Sequence, residues 1–113
     1  MAIYHITQHA AWEDALHRGV YRAQSLETEG FIHASTLEQV IGTANLLFHG
    51  QPGLVLLVID PGRLQAELRY ETAPGTGQKF PHIYGPVNLD AVERVVAFPP
   101  GPQGSFGLPS DLS

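Results

Sequence analysis

The stretch "LVLLVI", Leu54–Ile59, sets six aliphatic side chains in succession with no polar residue among them. A strand points alternate side chains to opposite faces, so a run of this kind is stable only where both faces of its sheet are covered. Turn-forming clusters bound it, "HGQPG" before and "DPGR" after, and its length suits a strand rather than a helix. It is also far short of the ~20 apolar residues that a membrane-spanning helix needs. The rest of the chain must therefore supply apolar cover for two faces.

The flanking segments read as follows. "AIYHIT" is rich in β-branched and aromatic residues and reads as an N-terminal strand. In "AAWEDALHRG", Ala11, Trp12, Ala15 and Leu16 recur at helical spacing, and Gly19 is placed to close the helix. "VYRAQSLETE" reads as a short extended piece and then a loop. "FIHAS" is a short strand by residue type. Thr36 with Gln39 three residues later forms a capping-box pattern for the helix "LEQVIGTANLLF". That helix gathers Val40, Ala44 and Leu47 on one face, beside Ile41 and Phe48. Beyond the central strand come a turn at "PGRL", a strand at "ELRYET" and a glycine- and proline-rich loop, "APGTGQKFP". An extended "HIYGP", a helical turn at "LDAV" and a strand at "VERVVAF" follow. This order, β-α-β-α-β-β-β-β with two main helices, predicts an α+β domain with a mixed or antiparallel sheet. The domain is assigned to residues 1–98. Residues 99–113, "PPGPQGSFGLPSDLS", hold four prolines and three glycines and read as an irregular tail.

Composition narrows the function. With 43% hydrophobic and 15% charged residues, the 113-residue chain has the make-up of a single globular domain, not of a disordered one. A net charge of −5 with only six Lys and Arg excludes an extensive nucleic-acid surface. A compact phosphate pocket built on backbone N–H groups stays open. The absence of cysteine excludes disulfides and thiolate metal sites. No secretory pattern opens the chain, so a soluble, cytoplasmic protein is expected, with no membrane partner. Nothing in the residues fixes an oligomeric state.

The six histidines divide into two groups. His9, His17 and His49 lie in or at the ends of expected helices among polar residues, and read as surface or capping groups. His5, His33 and His82 lie in short strand-like segments, "YHIT", "FIHAS" and "PHIYG", each near a hydroxyl or aromatic partner. One such residue is readily a core histidine bonded to a carbonyl; three in a small domain point to a shared ligand cleft. Glu71, at a strand end before the Gly/Pro loop, is suited to bond a sugar hydroxyl or to stabilise developing positive charge. Its bland reading is a solvated carboxylate paired with Arg69 or Lys79. Asp60, before Pro61, reads as a turn starter. "PGTG" has no helix behind it and reads as a lid or plain loop rather than a phosphate loop.

Taken together, "IYHIT", "GFIHAST", "LVLLVIDPGRL", "LRYE" and "FPHIYGPVNLDAV" resemble a bacterial family known as domain of unknown function 952. The likeness runs from Ile3 to about Phe98. The resemblance implies an ADP-ribosyltransferase-like split β-sandwich with a cleft sized for NAD. "HIT" is similar to the first-strand His-Gly-Thr of several such enzymes, with Ile6 in place of the glycine. "FIHAS" is similar to the His-Val-His-Leu-Ser segment of NAD-dependent RNA 2′-phosphotransferases, placing His33 and Ser35 on its second His and its Ser. "YHIT", the helix after "HAST" and the "VIDP" strand also resemble the small rifamycin ADP-ribosyltransferases. On this likeness His33 and Glu71 are the catalytic candidates. His5, Thr7, Ser35, His82 and Tyr84 are the cofactor-binding ones, and Phe80 is available to stack. Arg22 and Arg69 are the candidates for a phosphate-binding role.

Three functions stay open. The first is NAD or nucleotide binding with ADP-ribosyl transfer, whose oxocarbenium-like state needs a carboxylate near the ribose. The second is a non-catalytic module binding a small ligand or a protein. The third is a metal site of His5, His33 and His82, for which no short ligand spacing speaks; no metal is expected.

Overall fold

The protein is described by a computed structural model, and the structure describes residues 1–112. Its elements are β1 (Ile3–Gln8), α1 (His9–Arg18), β2 (Val20–Tyr21), α2 (Gln24–Thr28), β3 (Ile32–His33) and α3 (Leu37–Leu47). Then follow β4 (Leu54–Ile59), β5 (Glu67–Thr72), β6 (Lys79–Tyr84), β7 (Val87–Asn88) and β8 (Val92–Ala97). This is a mixed α and β architecture with few helices, and all its strand pairs are antiparallel.

β4 takes the place its composition demands. It lies between β1 and β8, and all six of its residues are buried. Val55, Leu57 and Ile59 face one apolar cluster with Ile3, Ala15, Tyr21, Ile32 and Ile83. Leu54, Leu56 and Val58 face a second, with Tyr4, Ile6, Val40, Ala44, Phe98 and Phe106. Two cores thus sit back to back on one sheet, and the alternation of side chains along β4 feeds both.

A second sheet, ordered β3-β6-β5, sends Ile32 and Ile83 into the first core. The two sheets are joined at Tyr4 and Ser35, whose backbones exchange two hydrogen bonds of 2.8 Å. β2 and β7 form a separate two-stranded pair. This join places the segment carrying His33 beside the strand carrying His5.

Local signals act where the sequence sets them. Gly19 closes α1 in the left-handed conformation at φ +84°, which a side chain would strain. Thr36 and Gln39 form both halves of a capping box at the start of α3. Asp60 accepts a hydrogen bond from the Gly62 N–H at 2.9 Å, as a turn starter does. Two segments differ from expectation. The loop expected after Tyr21 contains the five-residue α2, and the loop after β5 is shorter than its composition suggested. Lys79, Phe80 and Pro81 have joined β6, because pairing from Thr72–Lys79 through Glu67–Tyr84 satisfies their backbone. Residues 99–112 are largely irregular, yet Phe106 is buried against Phe98 with ring centroids 4.8 Å apart. The apolar gain of that ring holds the segment on the body of the protein. Among the described residues no helix is long and apolar enough to cross a membrane.

Candidate functional site: a histidine-lined cleft

A cleft of about 450 Å³ opens where β1, β3, β6 and the end of α3 meet. Its walls are mostly apolar: Ile6, Phe31, Leu46, Leu47, Phe48 and Phe80, with Ala73 and Pro74 from the β5–β6 turn. Its polar lining includes His5, His33, His82, Glu29, Ser35, Thr43 and Thr76. The three strand histidines therefore share one cleft, brought together by sheet pairing. His33 lies directly opposite His82 in the β3–β6 register, and their ring centroids are 5.5 Å apart.

The three have different surroundings. His5 is buried, with Nδ1 2.5 Å from the His33 carbonyl oxygen and Nε2 2.7 Å from the Tyr21 hydroxyl. A carbonyl only accepts, so Nδ1 carries the hydrogen. Burial lowers the His5 pKa to about 4, so the ring is neutral near pH 7 and Nε2 accepts from Tyr21. The Thr7 hydroxyl, 2.9 Å from that of Tyr21, then donates to the Tyr21 oxygen. This tautomer is assigned from the partners of the ring. Both His5 nitrogens are thus engaged within the protein, and Thr7 stands behind His5 rather than in the cleft lining.

His33 is half exposed and pairs with Glu29 through Nε2 at 3.1 Å. His82 is buried, with Nδ1 2.8 Å from Glu71 Oε1. The Tyr84 hydroxyl donates to the same carboxylate oxygen. These two donors, Tyr84 first and His82 second, hold the Glu71 carboxyl below the usual range. The bond to Glu71, with burial, pushes the Tyr84 phenol up. Phe31 stacks on the His82 ring, with centroids 4.1 Å apart and planes 20° apart. Arg69 lies over the Tyr84 ring at 4.6 Å and bonds Glu67 at 2.8 and 3.1 Å.

Of the residues that the sequence points to, His5, His33, Ser35, Phe80 and His82 line the cleft. Glu71 and Tyr84 are not in the lining: Glu71 bonds His82, and Tyr84 bonds Glu71. Ser35 is buried and reaches Thr43 of α3 at 3.4 Å. Glu71 pairs with His82 and Tyr84 rather than with Arg69 or Lys79: Lys79 lies on the other face of the sheet, and Arg69, on the same face, is bonded to Glu67. Of the two arginine candidates, neither Arg22 nor Arg69 lines the cleft. His9, His17 and His49 are exposed. The structure adds Tyr21, Phe31 and Glu29 to the residues that the sequence points to. For Phe31 a signal existed: it stands two residues before His33, the spacing that shares a strand face. Among the described residues no three His, Asp or Glu side chains converge as a metal site would require.

A family described as Protein of unknown function (DUF952) matches residues 6–95. The crystal structure of protein CC0527 from Caulobacter crescentus is similar with a TM-score of 0.89 at 34% identity, covering 99% of this chain and 98% of that one. The solution NMR structure of CC0527 is similar with a TM-score of 0.80 at 34% identity, covering 92% of this chain and 90% of that one. No curated protein matches the chain.

Proposed function

This chain belongs to the DUF952 family, and from that premise we propose that its cleft binds a small, uncharged organic molecule with an apolar ring or chain. One observation carries the reading. A cavity of about 450 Å³, within the usual range for ligand sites, combines aromatic and aliphatic walls with a few converging polar groups. Phe31, Phe80 and Leu47 offer an apolar bed, while the imidazoles of His33 and His82 supply direction.

The NAD implied by the resemblance to ADP-ribosyltransferases would meet the same residues. A pyrophosphate needs cations or a helix N-terminus. No lysine or arginine is among the described residues lining the cleft, and its one carboxylate, Glu29, would repel phosphate. Both nitrogens of His5, expected to orient the dinucleotide, are bonded within the protein. These residues do not fit the dinucleotide.

Titration of the ¹⁵N-labelled protein with indole and, in parallel, with NAD tests the choice. Indole is expected to shift the amide signals of Phe31, Phe80 and Leu47, while NAD leaves them unmoved at millimolar concentration. Saturable NAD binding at those residues, with indole inert, would overturn the proposal and restore the dinucleotide.

A further inference from the structure

We propose that His82 is a general base in this cleft, with Glu71 as its positioning residue and an uncharged molecule of partly apolar character as substrate. The inference rests on the ligand-site reading above and assigns that site a chemistry.

His5 and His82 are equally buried, at 8% exposure each, yet they differ in one respect. His5 has both nitrogens bonded within the protein, as a structural core histidine should. His82 has only Nδ1 bonded, to Glu71. Among the described residues no buried side-chain nitrogen or oxygen lacks a partner, so the unbonded Nε2 is not sealed in the core. The ring that carries it lines the cleft. Glu71, held ionised by its two donors, can only accept; Nδ1 therefore carries the hydrogen, and in the neutral ring it is Nε2 that holds the lone pair. Phe31 fixes the ring from one face and Tyr84 fixes the carboxylate. Ring, tautomer and orientation are set before any substrate arrives, as a general base requires.

In the step this permits, a hydroxyl of water or substrate gives its proton to Nε2. Its O–H electron pair forms the new bond to an electrophilic carbon. The leaving group departs with the electron pair of the broken bond and takes the proton back from the imidazolium. The Glu71 carboxylate, against Nδ1–H, stabilises the transient positive ring. The absence of Lys and Arg from the lining, with Glu29 present, disfavours anionic substrates.

The test uses p-nitrophenyl acetate, whose attack by water reports an accessible base, with wild type, His82→Gln, Glu71→Gln and the surface control His17→Gln. His82→Gln and Glu71→Gln are expected to lower the rate constant by about 10-fold or more, with His17→Gln unchanged. An amide at position 71 can donate to Nδ1 and drive the proton to Nε2. Two-bond ¹H–¹⁵N NMR should therefore show the Nδ1–H form in wild type and a shift toward Nε2–H in Glu71→Gln, a change that a merely structural role would not produce. Equal rates in wild type and His82→Gln, or an Nε2–H ring in wild type, overturn the proposal. Should His82→Gln not fold, Glu71→Gln and the wild-type tautomer still decide it. Indole binding in the same samples separates the two readings. Binding with equal rates removes the base and leaves the ligand site; His82-dependent rates without indole binding do the reverse.

Discussion

His5 Nδ1 lies 2.5 Å from the carbonyl oxygen of His33, so one histidine of the cleft holds the backbone that carries another. The bond spans the two sheets near the Tyr4–Ser35 join. The ring that makes it is buried and neutral, so the stability of the protein depends on pH.

Acid should weaken the protein through this residue. Unfolded, His5 titrates near the ordinary histidine value of 6.5; folded, burial lowers it to about 4. Between those values the unfolded chain binds more protons, so this contribution is full above the unfolded value and is lost as pH falls toward 4. The ceiling on the loss is about 3 kcal/mol. Urea unfolding at neutral pH and near pH 4.5 should show a larger acid loss in wild type than in His5→Gln. An equal loss in both would contradict the assignment.

Tyr21→Phe keeps the ring in the first core but removes the hydroxyl between His5 and Thr7. His5 Nε2 then loses its donor in a buried place. A destabilisation of about 1–3 kcal/mol is expected from urea midpoints. The native ¹⁵N spectrum should otherwise persist; a midpoint equal to wild type would show that the hydroxyl contributes nothing net.

Phe106 ties the irregular C-terminal segment to the second core, and the Asn45 side chain holds both its N–H and its carbonyl, at 2.7 and 3.3 Å. Phe106→Ala should cost about 3 kcal/mol. Limited proteolysis should cut residues 99–112 sooner in this variant. Unaltered cleavage would mean that the backbone clamp at Asn45 suffices alone.

Thr36→Ala removes the side-chain half of the capping box on α3. A loss of about 1 kcal/mol is expected in thermal or urea unfolding. Because Thr43, Leu46 and Leu47 of this helix line the cleft, the same variant should weaken indole binding if the helix start frays. Wild-type stability in Thr36→Ala would refute the contribution of the cap.

The sequence by itself determined the features that act over a few residues. The unbroken apolar run required a strand covered on both faces, and β4 is that strand. Gly19, Thr36 with Gln39, and Asp60 set local ends and turns whose partners lie within four residues. The histidines in strands, each near a hydroxyl or aromatic residue, were legible as a group. Only the tertiary structure decided what each one does, because sheet register brings together residues far apart in the chain. It set His33 opposite His82 and turned His5 inward onto Tyr21. It also carried Glu71 across the β5–β6 hairpin to His82 rather than into the cleft. A shift of one residue in the pairing of β5 with β6 would turn Glu71 to the other face of the sheet, away from His82. No local pattern encodes that register; Leu68 of β5 and Ile83 of β6, opposite each other, pack against the first core on the other face.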